Sequence, residues 1–361
     1  MAERLYTLGF SLFPGIGPKR LGQLVSHFGS AENAWNAQYS DFEQIGKPAL
    51  TDKFFAFKKT FNIDEYLQKL EEKNVWFVTT DDSLYPSLLN KSHDPPLVLF
   101  GKGEKSVLAA KRTIGIVGTR KITSYGRQVT ESITADLVAS RFCIVSGLAM
   151  GVDALAHGTA LQHNAATIAV LGSGVDLCTP MENYGLYQKI IEKGSCVISE
   201  FPLSQTPTVG SFPSRNRIIA GLSQGIVVTE GAFDSGALIT AKDAFTDGRP
   251  VFAIPGPITS SLSRGPNELL KKGGMLVTSG DDILSKLGMK LSKRIGSANK
   301  IEGDSDEEQK VIDVLAHEEL SFDELKQKCV FDTARLNTVL SLMEMKGFVT
   351  VSENGNYFLN E

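Results

Sequence analysis

The chain has 361 residues, of which 42% are hydrophobic and 22% charged, and its formal net charge is −4. Single hydrophobic cores rarely grow beyond about 250 residues, so this length predicts two or three domains. The apolar content excludes a disordered chain, and no uncharged apolar run reaches the roughly 18 residues of a membrane span. The first residues, MAERLYTLGF, lack the basic flank and long apolar stretch of a signal peptide. We therefore expect a soluble cytoplasmic protein with no membrane partner.

Charge is distributed unevenly along the chain. Residues 305–361 contain five Lys/Arg and twelve Asp/Glu, a balance of −7, which leaves +3 for residues 1–304. Two segments of this front part contain basic residues and no acidic ones, namely 111–130 with five and 201–229 with two. Since a chain average can hide a local patch, both segments are candidates for contact with an anion.

Residues 1–72 are predicted to form a helical domain, because apolar residues recur there at helical spacing. The segment PGIGPKR resembles the turn of a helix-hairpin-helix or SAM-like domain, in which backbone N–H groups and the side chain of Lys19 or Arg20 meet a phosphate. A helical packing domain that uses the same tight turn without binding a phosphate explains the segment equally well.

Residues 73–288 are predicted to form an α/β core, because short apolar runs alternate with helix-length segments of mixed polarity. Strands that are buried on both faces and joined by helices indicate an extended Rossmann-like, doubly wound parallel sheet. The runs predicted as strands are VWFVTT, LVLFG, TIGIVG (113–118), FCIVSG (142–147), ATIAVLG (166–172), CVIS (196–199), GIVVT (225–229) and PVFAIPG (250–256).

Glycines follow nearly every predicted strand. Ligands of doubly wound sheets bind beyond the carboxyl ends of the strands, and a glycine there lets a phosphate approach the backbone. The glycines expected on this edge are Gly118, Gly147, Gly172, Gly174, Gly231 and Gly256.

The rest of the chain predicts a linker and a small third domain. Residues 289–304 are polar and without periodicity, so they are assigned to a linker. Residues 305–361 contain three helical patterns and a hairpin that turns at Asn354-Gly355, a combination typical of a winged helix. Its third helix offers only Arg335 and Lys346, fewer cations than a helix that reads a DNA groove, so a protein contact or a structural role is favoured.

Familiar catalytic and cofactor signatures are absent from the sequence. There is no GxxxxGK[ST] motif, and GSGVDL (172–177) has a leucine where a dinucleotide fingerprint has its third glycine. The four cysteines and five histidines form no pair with metal-ligand spacing. Asp153 and His157 lie four residues apart on one predicted helix, which suits packing and capping at least as well as acid–base chemistry. We expect no cofactor, no metal and no catalytic residue.

Several long strings identify a family by their order and spacing. They are GTRKITSYGR (118–127), SGLAMGVDALAHGTAL (146–161), TIAVLGSGVDLCTPMEN (167–183), SFPSRNRIIAGLS (211–223), TEGAFDSGALITAKDAFTDGRPVFAIPG (229–256) and SRGPNELLKKGG (263–274). Together they closely resemble the DNA-processing protein A family, DprA or Smf, over roughly residues 80–285. The helical and winged-helix domains fit the same family more loosely.

This resemblance implies a function. It implies a homodimeric protein that binds single-stranded DNA, protects incoming DNA during natural transformation and helps to load the RecA recombinase. The family is not established as an enzyme.

The resemblance also implies a DNA site. The family's Gly-Ser/Thr-Arg motif falls on Gly118, Thr119 and Arg120, and its Arg-Asn-Arg motif falls on Arg215, Asn216 and Arg217. We expect the three arginines to clamp successive phosphates at the glycine edge. The alternative for each arginine is a salt bridge at the rim of the sheet, for example to Glu200 or Glu230. The other residues assigned to the site are Lys121, Gly147, Gly172, Ser173, Gly174 and Phe212, with backbone or hydroxyl hydrogen bonds expected from 172–174.

One departure from the family pattern concerns residues 178–181. Family members often have Tyr-Pro followed by a basic residue where this chain has Cys-Thr-Pro-Met. A cation and a stacking ring are therefore missing, and Tyr184 or Phe212 is the candidate to stack on a base instead.

A second function remains open at this point. The lysine-decarboxylase-like phosphoribohydrolases have similar glycine-edged sheets and bind nucleoside monophosphates. Glu230, Asp234, Ser235 and Gly236 are candidates to hold a ribose in such a nucleotide-binding or nucleotide-processing enzyme. That group carries a PGGxGTxxE string, however, and the corresponding segment here is TEGAFDSGALIT.

Overall fold

A computed structural model describes residues 2–43, 45, 48–289, 303–315, 318–352 and 355–359. The chain forms two compact units, Met1–Lys293 and Arg294–Glu361. The predicted linker 289–304 lies outside the described residues except for its first residue and its last two.

The first unit begins with a group of helices whose ends follow from local sequence. Pro18 occupies the first turn of the second helix, and the Ser30 hydroxyl accepts a hydrogen bond from Asn33 N–H at the start of the third. Asn62 caps the sixth helix in the same way. The helices are α1 (Ala2–Ser11), α2 (Pro18–Phe28), α3 (Ala31–Asn36), α4 (Tyr39–Glu43), α5 (Pro48–Thr60) and α6 (Ile63–Glu72).

A nine-stranded mixed sheet follows. Its spatial order is β1-β2-β6-β5-β4-β3-β7-β8-β9, and all neighbouring strands are parallel except that β2 runs antiparallel to both β1 and β6. The strands are β1 (Trp76–Thr79), β2 (Val98–Gly103), β3 (Thr113–Val117), β4 (Cys143–Ser146), β5 (Thr167–Val170), β6 (Cys196–Ser199), β7 (Ile226–Val228), β8 (Val251–Ala253) and β9 (Met275–Leu276).

Helices cover both faces of this sheet. Successive residues of a strand point to opposite faces, so Val145 packs in one hydrophobic cluster with Ile218 of the helix 211–222, while Ile144 packs in another with Leu137 of the helix 124–139. The helices are α7 (Ser87–Asn90), α8 (Ser124–Ala139), α9 (Val152–Gln162), α10 (Tyr184–Glu192), α11 (Ser211–Leu222), α12 (Gly236–Thr246), α13 (Arg264–Lys271) and α14 (Gly280–Lys286).

The predicted doubly wound Rossmann-like fold is confirmed. Each of the eight predicted runs overlaps a strand, and the antiparallel insertion of β2 and the two-residue strand β9 are additions that the sequence did not reveal. The helical segment shares one hydrophobic cluster with the sheet, since Phe54 and Trp35 pack in the same cluster as Phe100 of β2. The boundary at residue 72 stays a prediction.

The second unit has the predicted winged-helix elements and its own core. Its helices are α15 (Asp306–Leu315), α16 (Phe322–Cys329) and α17 (Thr333–Met345), and its hairpin strands are β10 (Val349–Val351) and β11 (Tyr357–Leu359). Leu325, Leu336 and Met343 are fully buried in a single cluster. Asn354 of the predicted turn lies outside the described residues.

Candidate nucleic-acid interface

The carboxyl ends of β3, β4 and β5 form the glycine edge, which is the candidate site. After β3 the chain forms β4, β5 and β6 on one side of β3, and it then forms β7 on the other side of β3. The order of the strands therefore reverses at β3. The crevice at such a reversal is where doubly wound sheets bind ligands. The loop that carries Arg120 leaves β3 at this point.

The loop 118–123 is held rigidly by Glu230. Thr119 N–H donates to the Glu230 carbonyl oxygen at 2.8 Å, and Thr123 donates to the Glu230 carboxylate from its N–H at 3.0 Å and from its hydroxyl at 2.7 Å. Glu230 is 3% exposed. This carboxylate therefore fixes the loop, a role that sequence reasoning missed because Glu230 and Thr123 are distant in the chain.

Arg120 is the exposed cation of this loop. Its guanidinium lies 5.5 Å from the centre of the half-buried Phe212 ring, a cation–π distance, and it forms no ion pair with any described residue. The neighbouring Lys121 is also exposed. A Cβ built on Gly172 would lie 3.3 Å from the Phe212 ring, so the ring packs against the glycine backbone. The structure thus brings together a cation, an aromatic ring and a glycine backbone.

Arg215 lies at the same edge but beneath the surface. Its guanidinium donates to the carbonyl oxygens of Gly147, directly after β4, and of Val170, the last residue of β5, and its Nε donates to the Asn216 side chain at 3.1 Å. A Cβ on Gly147 would lie 2.3 Å from the guanidinium, so only glycine leaves room for it. In this structure the Arg215 side chain is buried and engaged with the backbone, and a direct clamp on a phosphate stays a prediction.

Burial and a carboxylate set the charge of Arg215. Burial lowers the pKa of Arg215 to about 10, and the charge of the buried Asp153 opposes that shift. The arginine therefore remains cationic at neutral pH. Asp153 itself accepts a hydrogen bond from Gly147 N–H at 3.1 Å, and burial raises its pKa while Arg215 lowers it. Arg215 and Asp153 therefore stabilise the glycine edge from within the protein core.

Arg217 is also engaged within the fold. Its Nε lies 3.0 Å from the Asp94 carboxylate and its Nη2 lies 2.5 Å from that of Glu200, and its side chain is 15% exposed. The alternative of a salt bridge to Glu200 is therefore realised in this structure, and a clamp by Arg217 on a phosphate stays a prediction. Burial raises the pKa of Glu200, and the attraction of Arg217 opposes that shift. Asn216 joins two helices, since its amide donates to the carbonyl of Gly236 at 3.1 Å.

The loop 172–174 is buried and narrow. The Ser173 hydroxyl donates to Leu177 O at 3.1 Å and Gly174 N–H donates to Gln205 O at 2.9 Å. Both groups hold the loop together, and the expected hydrogen bonds from residues 172–174 to a phosphate stay a prediction. A Cβ on Gly174 would lie 2.5 Å from Pro202 O, so this position requires glycine.

Two other side chains named from the sequence have clear positions. His157 is fully buried, and its Nδ1 lies 2.6 Å from the Thr167 hydroxyl, which removes it from any acid–base role at the surface. Tyr184 is 45% exposed and stacks on Tyr187 with ring centres 6.1 Å apart.

In the part of the chain that the structure describes, no helix is long and apolar enough to cross a membrane, and no His, Cys, Asp and Glu side chains form a metal-binding group.

Comparisons with known proteins agree with this architecture. The family model described as DNA recombination-mediator protein A matches residues 76–288, and that of the DprA winged helix domain matches residues 297–355. The Protein Smf of Synechocystis is 40% identical over 293 residues, which cover 80% of this chain and 73% of the relative. The DNA processing protein DprA of Streptococcus pneumoniae is 41% identical over 230 residues, which cover 63% and 80%.

Two solved structures are similar over most of their length. The X-ray structure of DNA processing protein A from Streptococcus pneumoniae has 34% identity and a TM-score of 0.68, and the match covers 79% of this chain and 98% of that chain. The Helicobacter pylori protein, described for its single-stranded DNA binding mode, has 29% identity and a TM-score of 0.54, with 60% and 97% covered. The chain belongs to the DNA recombination-mediator protein A family, whose members are named DprA or Smf.

Proposed function

We propose that this protein is a recombination mediator that binds single-stranded DNA at the glycine edge. The observation that carries the proposal is the exposed Arg120 beside Phe212, on a loop that Glu230 holds rigid. A cation attracts a phosphate, and an aromatic face accepts a stacked base of any sequence. The relative from Helicobacter pylori, which is described as binding single-stranded DNA, supports the same assignment.

The geometry favours a single strand over a duplex. Sequence readers of duplex DNA insert a helix with several basic or amide side chains into the major groove. At the glycine edge, the cation stands on a loop between a strand and a helix, and its neighbour is an aromatic ring. Unpaired bases are available for stacking, so they fit this surface better.

The proposal extends to the cellular role that the family resemblance implies. The protein would act in the cytoplasm as a homodimer, protect incoming DNA during natural transformation and help to load the RecA recombinase on it. It would not be an enzyme and would use no cofactor. The family membership supports these points, and each needs its own test.

The alternative, a nucleotide-processing enzyme, loses its best candidate residue. The carboxylate of Glu230 is 3% exposed and accepts two hydrogen bonds from Thr123, so it is not free to bind a ribose. The companion residues Asp234 and Gly236 are exposed, but neither supplies a base or nucleophile held in place by a partner.

One preparation tests both functions. Affinity for single-stranded and duplex oligonucleotides of equal length is measured by fluorescence anisotropy, and hydrolysis of ATP and of a nucleoside monophosphate is followed on the same sample. We expect preference for the single strand and no turnover. Equal affinity for the duplex would contradict the DNA proposal, and hydrolysis that disappears in Glu230→Gln would favour the enzyme.

A further inference from the structure

The opposite edge of the sheet carries a cleft that the glycine edge does not use. A cavity of about 710 Å³ lies at the amino ends of β3, β4 and β5, lined in part by Lys111, Arg112, Arg141 and His163. Because these three strands are neighbours, the segments that precede them meet at one place. About 20 Å of strand separates Arg112 from Gly118 at roughly 3.3 Å per residue, so the cleft is distinct from the glycine edge.

The cleft is positively charged. The side chains of Lys111, Arg112 and Arg141 are exposed, and none of the described residues that line the cavity is acidic. None of these three cations forms an ion pair within the described ranges. Like charges that share a cleft repel one another, and a bound anion relieves that repulsion.

One of these three cations pairs with the carbonyl end of a helix, and the other two do not. α8 and α9 end beside the cleft at Ala139 and Gln162, and the carbonyl ends of helices attract cations. Arg112 serves this purpose, since its Nη1 donates to the carbonyl oxygen of Ser140 at 2.9 Å. The side chains of Lys111 and Arg141 donate to no carbonyl oxygen among the residues that the structure describes. Their charges are therefore available to a ligand.

We propose that this cleft is a second phosphate-binding site, in which Lys111 and Arg141 hold the phosphate and the anchored Arg112 supports them. The cavity is of the size that accommodates a nucleotide. The phosphate belongs either to a DNA strand that continues from the glycine edge or to a free phosphorylated compound. The DNA alternative rests on the proposed function of the glycine edge, whereas the free-phosphate alternative does not, because no residue is shared between the two sites.

The test compares a double variant with a charge-matched control in the full chain. The variant is Lys111→Ala with Arg141→Asn, because Arg141 has φ +64° and asparagine tolerates this left-handed backbone. The control is Lys53→Ala with Lys59→Ala, which removes two exposed cations from α5. The probes are pyrophosphate, followed by calorimetry, and a short and a long oligothymidylate, followed by anisotropy across a range of salt concentrations.

Two outcomes support the proposal and identify the source of the phosphate. If the ligand is a free phosphate compound, pyrophosphate binding should weaken about tenfold or more in the double variant, but not in the control or in Arg120→Ala. If the ligand is DNA, the double variant should lose affinity only for the long oligothymidylate, with a salt slope that is smaller by about 0.7 for each lost phosphate contact. Arg120→Ala should weaken both oligothymidylates, which separates the two sites.

Equal binding of all probes by the double variant and the control would overturn the proposal. A second measurement covers the case in which the variant fails to fold. In the unaltered protein, pyrophosphate or the long oligothymidylate should protect the Lys111 amine from acylation, read by mass spectrometry of its peptide. Acylation of Lys111 at the same rate with and without both probes would equally overturn it.

Discussion

Arg120, Arg215 and Arg217 carry the same charge in three different environments. Arg120 is exposed, with the Phe212 ring as its neighbour, whereas Arg215 is 5% exposed and donates to backbone carbonyls. Arg217 bridges two carboxylates. Single substitutions should therefore separate DNA contact from stability, because only the first arginine has no structural partner other than a ring.

The substitution Arg120→Ala should weaken binding of single-stranded DNA and leave stability nearly unchanged. An exposed side chain without an ion pair contributes within about 0.5 kcal/mol to folding, but it neutralises a phosphate when DNA binds. The slope of log affinity against log salt concentration should fall by about 0.7 for one lost contact. Lys193→Ala, which removes an exposed cation remote from this loop, is the control. Unchanged affinity of a folded Arg120→Ala protein would refute the site.

The substitution Arg215→Ala should destabilise the fold by about 3–5 kcal/mol, because it leaves Asp153 as an uncompensated buried charge. It also removes the donor to the Gly147 and Val170 carbonyls. The measurement is the free energy of unfolding of the first unit in urea. Arg215→Lys keeps the charge and should recover part of the loss. Stability equal to that of the unaltered protein would show that this arginine has no structural role.

His157 gives a pH dependence whose sign can be stated. Burial lowers its pKa from 6.5 to about 3, so the folded protein keeps the imidazole neutral where the unfolded chain binds a proton. The corresponding stability is fully present above pH 6.5 and is lost as the pH falls toward 3, by at most about 1.4 kcal/mol per pH unit. The buried Asp153 has a raised pKa and an opposite effect.

The variant His157→Gln isolates this contribution, since Asp153 is common to both proteins. The free energy of unfolding is measured between pH 6.5 and pH 5, and its slope should be smaller in the variant. Parallel curves for the two proteins would show that His157 titrates normally in the folded state.

At the scale of secondary structure, the strands were predictable and the sheet order was only partly so. A run such as TIGIVG is apolar throughout because both faces of β3 are covered, by α8 and α9 on one side and by α11 on the other. The first four residues of the antiparallel β2, 98–101, are also apolar or glycine and buried. Its direction depends on which strand it meets, and local sequence does not encode that.

The sequence predicted where the candidate site lies, but it did not predict which of its side chains are exposed. The glycines mark the edge because backbone or side chains approach them closely, as Arg215 approaches Gly147. The sequence shows that Arg215 and Arg217 are cationic, but burial depends on partners such as Asp94, which is far away in the chain. An ion pair between residues more than a hundred positions apart in the chain, such as Arg217 and Asp94, cannot be predicted from the local sequence.

The third helix of the second unit, α17, has its cations already paired. Arg335 forms an ion pair with Glu307, and Lys346, directly after the helix, lies 2.7 Å from both Asp304 and Glu308. The hydrogen bond to Glu307, together with the attraction of its charge, raises the pKa of Arg335. A phosphate would have to displace these carboxylates, in addition to meeting the net charge of −7 carried by residues 305–361.

The second unit should therefore not bind DNA by itself. Residues 1–300 and 305–361 are expressed separately, which their separate hydrophobic cores permit, and each is titrated with a single-stranded oligonucleotide. The first fragment should bind as well as the full chain, and the second should remain unbound. Tight binding by the second fragment, or loss of binding by a folded first fragment, would contradict the charge argument.

At the scale of the whole molecule, the size of the glycine edge limits what one chain can bind. One exposed arginine and one ring can hold only a few nucleotides. A homodimer, which the family resemblance implies, would place two such sites on one particle. Once the first site is occupied, the second binds the same strand at a high effective concentration, provided that the strand is long enough to reach it.

Affinity should therefore rise in a step as the oligonucleotide lengthens. Below the bridging length each added nucleotide adds little, and above it the affinity should increase by about 10²-fold or more without any new kind of contact. The measurement is a series of oligothymidylates titrated at fixed salt, with the mass of the protein determined by light scattering at the same concentration. In Arg120→Ala the step should shrink, because both linked sites are weakened together. A monomeric mass and a smooth dependence on length would show that each chain binds DNA alone.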